Sequence, residues 1–490
     1  MSPTTGDMGN PLLWWTGWIR GVVVRFPPKQ SLDGAPAFVE DWDGRRVLRI
    51  PGLQKRETLR RAQGGLWGNH LSSSQKVEMS GCDCYAASHM PASAISAVST
   101  KSAGASITSA RVTSLDIVRG VAMILMAIDH VRVYSGVPAG GATFGVFFTR
   151  WITNFVAPAF VFLAGTSAWL YGRKLSDRGG LSKFLVSRGA WLIFLELTFL
   201  RVAWTFNFDF QHYLLAGVIW MIGWSMIALA GAIYLPRPAI AGLGIALIAL
   251  HNITNLFRPQ LAHAFGPDGP NWLLRILYFG GAVEIGKSGA PLLILYVLVP
   301  WVGLMFAGYA FGPVLQKSPE ARRRIYLQLG LGLTVLYVVL RLIGMYGDPR
   351  PWDRHTLFSF LNTAKYPASL EYLCMTIGPM FLLWALVEGW TGRPAKVVET
   401  FGRAPMFYYL LHIPLIHFAA CVVSLIREGH VDAWLFTNHP LDPGPLPAGY
   451  MWSLPLLYLV YAVCLVLLYF PCRWYANLKA TKRSKILSYI

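Results

Sequence analysis

Charge is what this chain has least of. Only 14% of its 490 residues are Asp, Glu, Lys or Arg, against roughly 25% in soluble domains, while 54% are hydrophobic; a string of water-soluble domains is excluded. Acidic side chains are scarcer still, 24 against 43 Lys and Arg, for a formal net charge of +19. In so apolar a chain that excess suits the inner face of a membrane and anionic lipid rather than nucleic acid. Cysteines are also few, and Cys374, Cys421, Cys464 and Cys472 fall in apolar runs where a thiol is a small buried hydrophobe, so no disulfide framework is implied. Neither Gly140-Gly141 nor Gly280-Gly281 leads into Gly-Lys-Ser/Thr, which excludes a P-loop. Short alternating strands do not recur, which excludes a membrane barrel.

What is present divides near residue 110. Residues 1–110 mix polar, charged and Gly/Pro-rich stretches. Their Trp-rich patch, Leu12 to Phe26, is broken by Arg20 and too short to cross a bilayer, and it lacks the order of a signal peptide. The Ser/Ala/Thr tract from 91 to 113 has a linker's composition. The segment reads as a disordered extension, or as a stretch upstream of a natural start at Met90. Cys82, Cys84 and His89 lack the second ligand pair of a zinc motif, so no metal is expected.

Residues 111–490 read as one all-α transmembrane domain, a polytopic membrane helical bundle of about ten transmembrane helices. Apolar runs of membrane-spanning length are predicted at 114–134, 143–171, 190–206, 213–235, 239–257, 290–314, 325–346, 369–388, 404–426 and 452–474. Basic clusters follow the second run (Arg173, Lys174, Arg178, Lys183, Arg188), the sixth (Lys317, Arg322, Arg323, Arg324), the eighth (Arg393, Lys396, Arg403) and the tenth (Lys479, Lys482, Arg483, Lys485). All four fall on one side of an even-numbered bundle, so that side is expected to be cytoplasmic, with both termini inside. The opposite loops, richer in Trp, His, Pro and Gly, are expected to bear the site.

The first run is the informative one, because Asp116, Arg119, Asp129 and His130 lie in it or at its rim and ionisable groups are costly in a membrane helix. Eleven residues separate Arg119 from His130; at about 100° and 1.5 Å per residue, the two share a face to within roughly 20° and stand about 16 Å apart along the axis. Asp116, three residues before Arg119, can orient its guanidinium. The plainer alternative is an interfacial ion pair and a satisfied bundle histidine. In the ninth run His412 and His417 are about 140° apart, so only one can face a common cavity, and His412 is favoured. Glu196 and Arg201 in the third run are likewise offset and need separate partners, in a structural role.

Here the residues carry a resemblance. Ser114-Leu-Asp116-Ile-Val-Arg119-Gly120, followed by Asn154-Phe-Val-Ala-Pro158-Ala-Phe160 and Gly165-Thr-Ser167, resembles the opening two helices of the heparan-α-glucosaminide N-acetyltransferase family and its bacterial relatives. Pro300-Trp301-Val-Gly303, Asn362-Thr-Ala-Lys365-Tyr366-Pro367 and Phe401-Gly402-Arg-Ala-Pro405 running on to Tyr408 and His412 fit the bacterial branch, so that the likeness runs over most of residues 111 to 475. The spacing of Arg119 and His130 is also similar to the signature of the wider type 3 membrane acyltransferases. One departure stands out. The animal enzymes place their proposed catalytic histidine in the loop between the first two helices, whereas Ser135 to Thr143 contains none, and His130 stands where they carry asparagine.

The resemblance implies a transmembrane N- or O-acetyltransferase that takes acetyl from cytoplasmic acetyl-CoA, a co-substrate rather than a bound cofactor, to an amino sugar or hydroxyl of an extracytoplasmic glycan. Arg119 and Asp116, with Lys174, Arg188 and Arg403, are the donor-binding candidates, cations suited to phosphates. His130, oriented by Asp129, is the catalytic candidate, either as general base or as a covalent acetyl carrier. Acceptor-binding candidates are Asn154, Arg150, His212, Lys365, Tyr366 and His412. Expected partners are acetyl-CoA, a cell-envelope glycan, the lipid bilayer of the cell inner membrane and a second copy of the chain as a homodimer, with no nucleic acid. The rivals are a secondary transporter of a small anionic or sugar-like solute, in which the same buried groups would relay protons, and a non-catalytic polysaccharide export partner. No clear repeat relates residues 114–313 to 325–475, which weakens the transporter reading.

Overall fold

The computed structural model describes residues 38–40, 46–48 and 111–490, apart from 142, 176, 267–268, 287–288, 443, 483, 485–486, 488 and 490. The expectations for Cys82, Cys84, His89, Met90 and the Ser/Ala/Thr tract up to residue 110 lie outside the described residues. Two short strands, β1 (Phe38–Glu40) and β2 (Arg46–Leu48), pair antiparallel with Val39 opposite Val47, in a unit of their own.

The other unit is helical. In chain order it holds α1 (Thr113–Ser135), α2 (Phe144–Trp151), α3 (Val156–Gly172), α4 (Arg178–Leu195), α5 (Arg201–Thr205), α6 (Val218–Ala232), α7 (Arg237–Leu250), α8 (Arg258–Phe265), α9 (Val299–Phe311), α10 (Pro319–Ile343), α11 (Leu370–Val387), α12 (Arg393–Arg403), α13 (Pro405–Glu428) and α14 (Leu454–Thr481). A 3₁₀ turn, Ile152–Phe155, joins α2 to α3, and a π turn, Glu196–Leu200, joins α4 to α5. Among the described residues six helical segments are long and apolar enough to cross a membrane by length and composition: Phe144–Gly172, Arg237–Phe257, Pro319–Ile343, Leu370–Val387, Pro405–Glu428 and Leu454–Thr481. Leu243, Ile245 and Leu250 on α7, Leu331, Val335 and Leu342 on α10, and Leu459, Val466 and Phe470 on α14 are exposed. Apolar surface on that scale belongs against lipid.

Three corrections to the sequence reading concern boundaries. The runs at 213–235 and 290–314 open as strands: β3 (Leu214–Ala216) pairs in parallel with β5 (Leu292–Ile294), which pairs antiparallel with β4 (Gly281–Val283). A short apolar run looks the same whether it becomes strand or helix. The run at 190–206 begins at Arg178, where the Asp177 side chain caps the helix by accepting from the Gly180 amide at 2.9 Å. Arg178, Lys183 and Arg188 therefore ride on a helix and not on a loop.

The tightest packing is set by glycine. The five most extensively packed helix pairs are α10 with α11, α4 with α6, α3 with α9, α7 with α9 and α1 with α12. Each pair meets at glycines from both helices: Gly330 and Gly378, Gly189 and Gly223, Gly165 and Gly308, Gly244 and Gly303, Gly120 and Gly402. A Cβ at Gly120 would overlap the Val398 carbonyl oxygen, and one at Gly402 that of Asp116. Small residues let helix backbones approach where no water drives association. Buried Glu196 and Arg201 do find separate partners. Glu196 Oε2 accepts the Ile219 and Trp220 amides at 2.8 and 3.2 Å, closing the start of α6, and Arg201 donates to the Tyr213 carbonyl, Thr205 and Asn438.

Candidate active site

The site is assembled from periodicity first. Met126, Asp129 and His130 recur on one face of α1, and Thr153, Val156, Ala157 and Phe160 on one face of α3 and its leading turn; both sets line a single cavity of about 40 Å³. The small sheet adds two more walls, since Val218 follows β3 and Tyr296 follows β5, with the Tyr296 amide donating to the Ala216 carbonyl. Lys365 completes the lining from the segment before α11.

His130 is held by its neighbours in one protonation pattern. His412 on α13 directs Nδ1 at the carbonyls of Tyr409 (2.7 Å) and Tyr408 (3.1 Å). A carbonyl oxygen only accepts, so Nδ1 carries the proton and Nε2 of the neutral ring keeps a lone pair. His130 Nδ1 lies 2.6 Å from that Nε2 and must donate to it, which leaves the lone pair of His130 on Nε2. The rings stack with centroids 4.8 Å apart, and Trp204 sets the imidazole plane edge-on at 4.8 Å.

Asp129 does not make the orienting contact. Its carboxylate accepts from Arg132 Nε at 3.0 Å and faces Arg150 Nη1 at 3.7 Å, so His412 is the residue that orients His130. Arg150 also donates to Thr153 Oγ1 (3.0 Å) and Asn154 Oδ1 (3.3 Å), and the Tyr372 hydroxyl donates to the Asn154 carbonyl (2.8 Å). Buried Lys365 sits 5.3 Å from the Tyr366 ring centre and 6.0 Å from that of Tyr296, and the Tyr366 hydroxyl donates to the Tyr296 hydroxyl at 3.3 Å. Burial pulls the Lys365 ammonium below the usual lysine pKa; the Arg150 charge acts the same way, and Tyr366 and Asp129 oppose both.

Of the acceptor candidates, Arg150, Asn154, Lys365, Tyr366 and His412 are thus brought together around Asp129 and His130. His212 is not: its ring lies at the surface, bonded to Asp442 at 2.9 Å. His417 faces elsewhere, on the Ala203 and Leu435 carbonyls. Arg132, Thr153, Trp204, Tyr296 and Tyr372 were not singled out from sequence. Arg132, three residues past Asp129 on the same helix, was legible by spacing; Tyr296 lies inside an apolar run and gave no signal.

The donor candidates gather at the start of α1. Arg119 donates to Asp116 Oδ1 (3.1 Å), the Gly402 carbonyl (3.2 Å) and Ser167 Oγ (2.7 Å), and Arg111 pairs with the other oxygen of Asp116. Arg188 and Lys479 lie close enough to feel the Arg119 charge, and Arg403 follows Gly402 directly, 4.0 Å from Glu399. Lys174 stands apart in the exposed turn after α3.

Fold and site together define a polytopic helical membrane protein with an oriented imidazole in a small polar cavity. The family model described as Heparan-alpha-glucosaminide N-acetyltransferase, catalytic, matches residues 111–343, from the start of α1 to the end of α10. The chain resembles that family over the stretch that carries Arg119, Asp129, His130, Arg150, Asn154 and Tyr296, and with its membrane-length helices the match points to a transmembrane acetyltransferase. Lys365, Tyr366 and His412 lie beyond the matched residues. A comparison with curated proteins finds no match.

Proposed function

We propose that this protein is an integral inner-membrane acyltransferase that moves acetyl from cytoplasmic acetyl-CoA to a hydroxyl or amine of an extracytoplasmic glycan. The observation that carries the reading is the Nε2 lone pair of His130, held by His412 in a cavity on the helix whose other end bears the basic cluster. The donor's phosphates meet Arg119, Arg188, Lys479 and Arg403. The rise of about 16 Å from Arg119 to His130 matches an extended pantetheine arm, so the thioester arrives beside the imidazole. His130 Nε2 takes the proton from the acceptor as its oxygen or nitrogen attacks the carbonyl. A new C–O or C–N bond forms, the C–S bond breaks, and the thiolate of CoA leaves with the proton from His130.

Purified full-length protein in lipid nanodiscs is expected to bind acetyl-CoA in calorimetric titration and to transfer radiolabelled acetyl to a sugar acceptor. Absence of acetyl-CoA binding would sink the reading, since neither a transporter nor an export partner needs that ligand. Lys479→Gln is expected to weaken acetyl-CoA binding about tenfold or more, the loss of one charge-assisted contact, and to leave S-acetylpantetheine, which lacks the nucleotide phosphates, unaffected.

Topology is part of the same reading. Cysteines placed at Arg178 and Arg323, in a background free of native cysteine, are expected to resist a membrane-impermeant thiol reagent in intact cells, and those at exposed Pro138 and at Trp434 to react. Labelling at 178 from outside would invert the orientation and separate the cationic mouth from cytoplasmic donor.

A further inference from the structure

The charges around the cavity do not close. Among the described residues Asp129 is the carboxylate that faces it, already shared between Arg132 and Arg150. Lys365 lines the same cavity. No carboxylate of a described residue lies within 4.0 Å of its ammonium, whose near neighbours are the rings of Tyr366 and Tyr296. Three cations against one anion leave a surplus of positive charge, and the surplus keeps its sign even when Lys365 is neutral. His130 and His412 add nothing to it, since their shared hydrogen bond requires only neutral rings; Tyr296 and Tyr372 are phenols, and even with the Tyr366 hydroxyl ionised by the nearby Lys365 and Arg150 charges, three cations stand against two anions.

The cluster next door behaves differently. Arg341 pairs with Glu371 at 3.1 Å and Asp348 at 3.9 Å, and the Arg350 guanidinium, bonded to Asn362 Oδ1 at 3.2 Å, lies close enough to feel the Asp348 charge, so two guanidinium groups stand near two carboxylates. A buried charge left without a counter-charge is costly.

We propose that the missing anion is supplied by the acceptor: a sugar that carries an oxyanion, carboxylate or phosphate, beside the hydroxyl that is acetylated. The inference rests on the acyl-transfer reading above and narrows its acceptor. A thioester oxygen becomes negative only in transit, so it leaves the resting cations uncompensated, and a protonated amino sugar would add to the surplus. The cavity of about 40 Å³ holds water and no sugar ring, so binding widens it, with the anion drawn to Lys365 and Arg150.

The test uses the full chain in nanodiscs and four acceptors of one size: glucose, glucosamine, glucuronic acid and glucose 6-phosphate. Equilibrium binding of each is measured without donor, then kcat/KM for acetyl transfer from acetyl-CoA. Glucuronic acid or glucose 6-phosphate is expected to exceed glucose by about tenfold or more, the scale of one charge-assisted contact, with glucosamine weakest; whichever anion leads identifies the carboxylate or the phosphate. Lys365→Gln should collapse the ratio of anionic to neutral acceptor through KM, and Lys365→Arg should preserve it. Equal binding of all four, or none, overturns the inference. So does a Lys365→Gln loss of the same factor for every acceptor, which would put the ammonium on the developing oxyanion. Anion-selective binding with no acetyl transfer would instead fail the acyltransferase reading and leave the charge argument standing.

Discussion

His130→Ala should bind acetyl-CoA as the parent does and transfer its acetyl group roughly 10²- to 10⁴-fold more slowly, the usual loss when a positioned general base is removed. In the proposed reaction the two effects separate because the phosphates would be held at the start of α1 and the proton taken about three helical turns away. His412→Phe keeps the volume and removes the acceptor of the His130 Nδ1 proton, so its loss should also fall on kcat rather than KM. His130→Gln guards against misfolding of the alanine variant. Normal turnover by both His130 variants, with His412→Phe inactive, would move the base to α13.

Arg341→Met should destabilise the fold by roughly 3–5 kcal/mol in denaturant titration in mixed micelles, the range for breaking one side of a buried ion pair. The side chains of Arg341, Glu371 and Asp348 are each about 2% exposed or less, so Glu371 would remain as an uncompensated buried carboxylate and Asp348 would keep only the nearby Arg350 charge. Arg341 also donates to the carbonyls of Arg350 (2.9 Å), Ser359 (2.8 Å) and Phe360 (3.0 Å). Asp348 in turn accepts from the Ala364 amide (2.7 Å) and Ser369 hydroxyl (2.6 Å) on either side of Lys365 and Tyr366. The variant should therefore lose activity as well, because the loosened segment is the one that delivers Lys365. A stability change below about 1 kcal/mol, the scale of an exposed pair, would show that the cluster is wet and not buried.

Helices were legible in the sequence wherever an apolar run was long, and α1, the joined segment α2–α3 (Phe144–Gly172), α11 and α13 lie within a few residues of their expected places. The site was legible where its residues share a helix: Asp129 and His130 stand together because their spacing dictates it. What stayed hidden depends on contacts distant in sequence. The partner of His130 is 282 residues away, and no periodicity on α1 names it. The small sheet was invisible because Leu214–Ala216 and Leu292–Ile294 merge into apolar runs, and with it went Tyr296. His212 was chosen for its chemistry and its place near a helix end, and its surface pairing with Asp442 depends on a loop whose path a helical repeat does not encode.

The glycine contacts bind helices α1 and α12, α4 and α6, α10 and α11, and the trio α3, α7 and α9, into stiff blocks. The cavity lies at the seam between blocks, for α1, α3, α6 and the approach to α11 each belong to a different one. α13, which brings His412, has no glycine within it. The sugar and thioester of the proposed reaction could therefore be admitted by blocks sliding past one another, with every glycine contact intact, in the manner of a shear rather than a hinge. On the acyl-transfer reading, a seam that returns between turnovers to the volume of a few water molecules would spare the acetyl donor from idle hydrolysis.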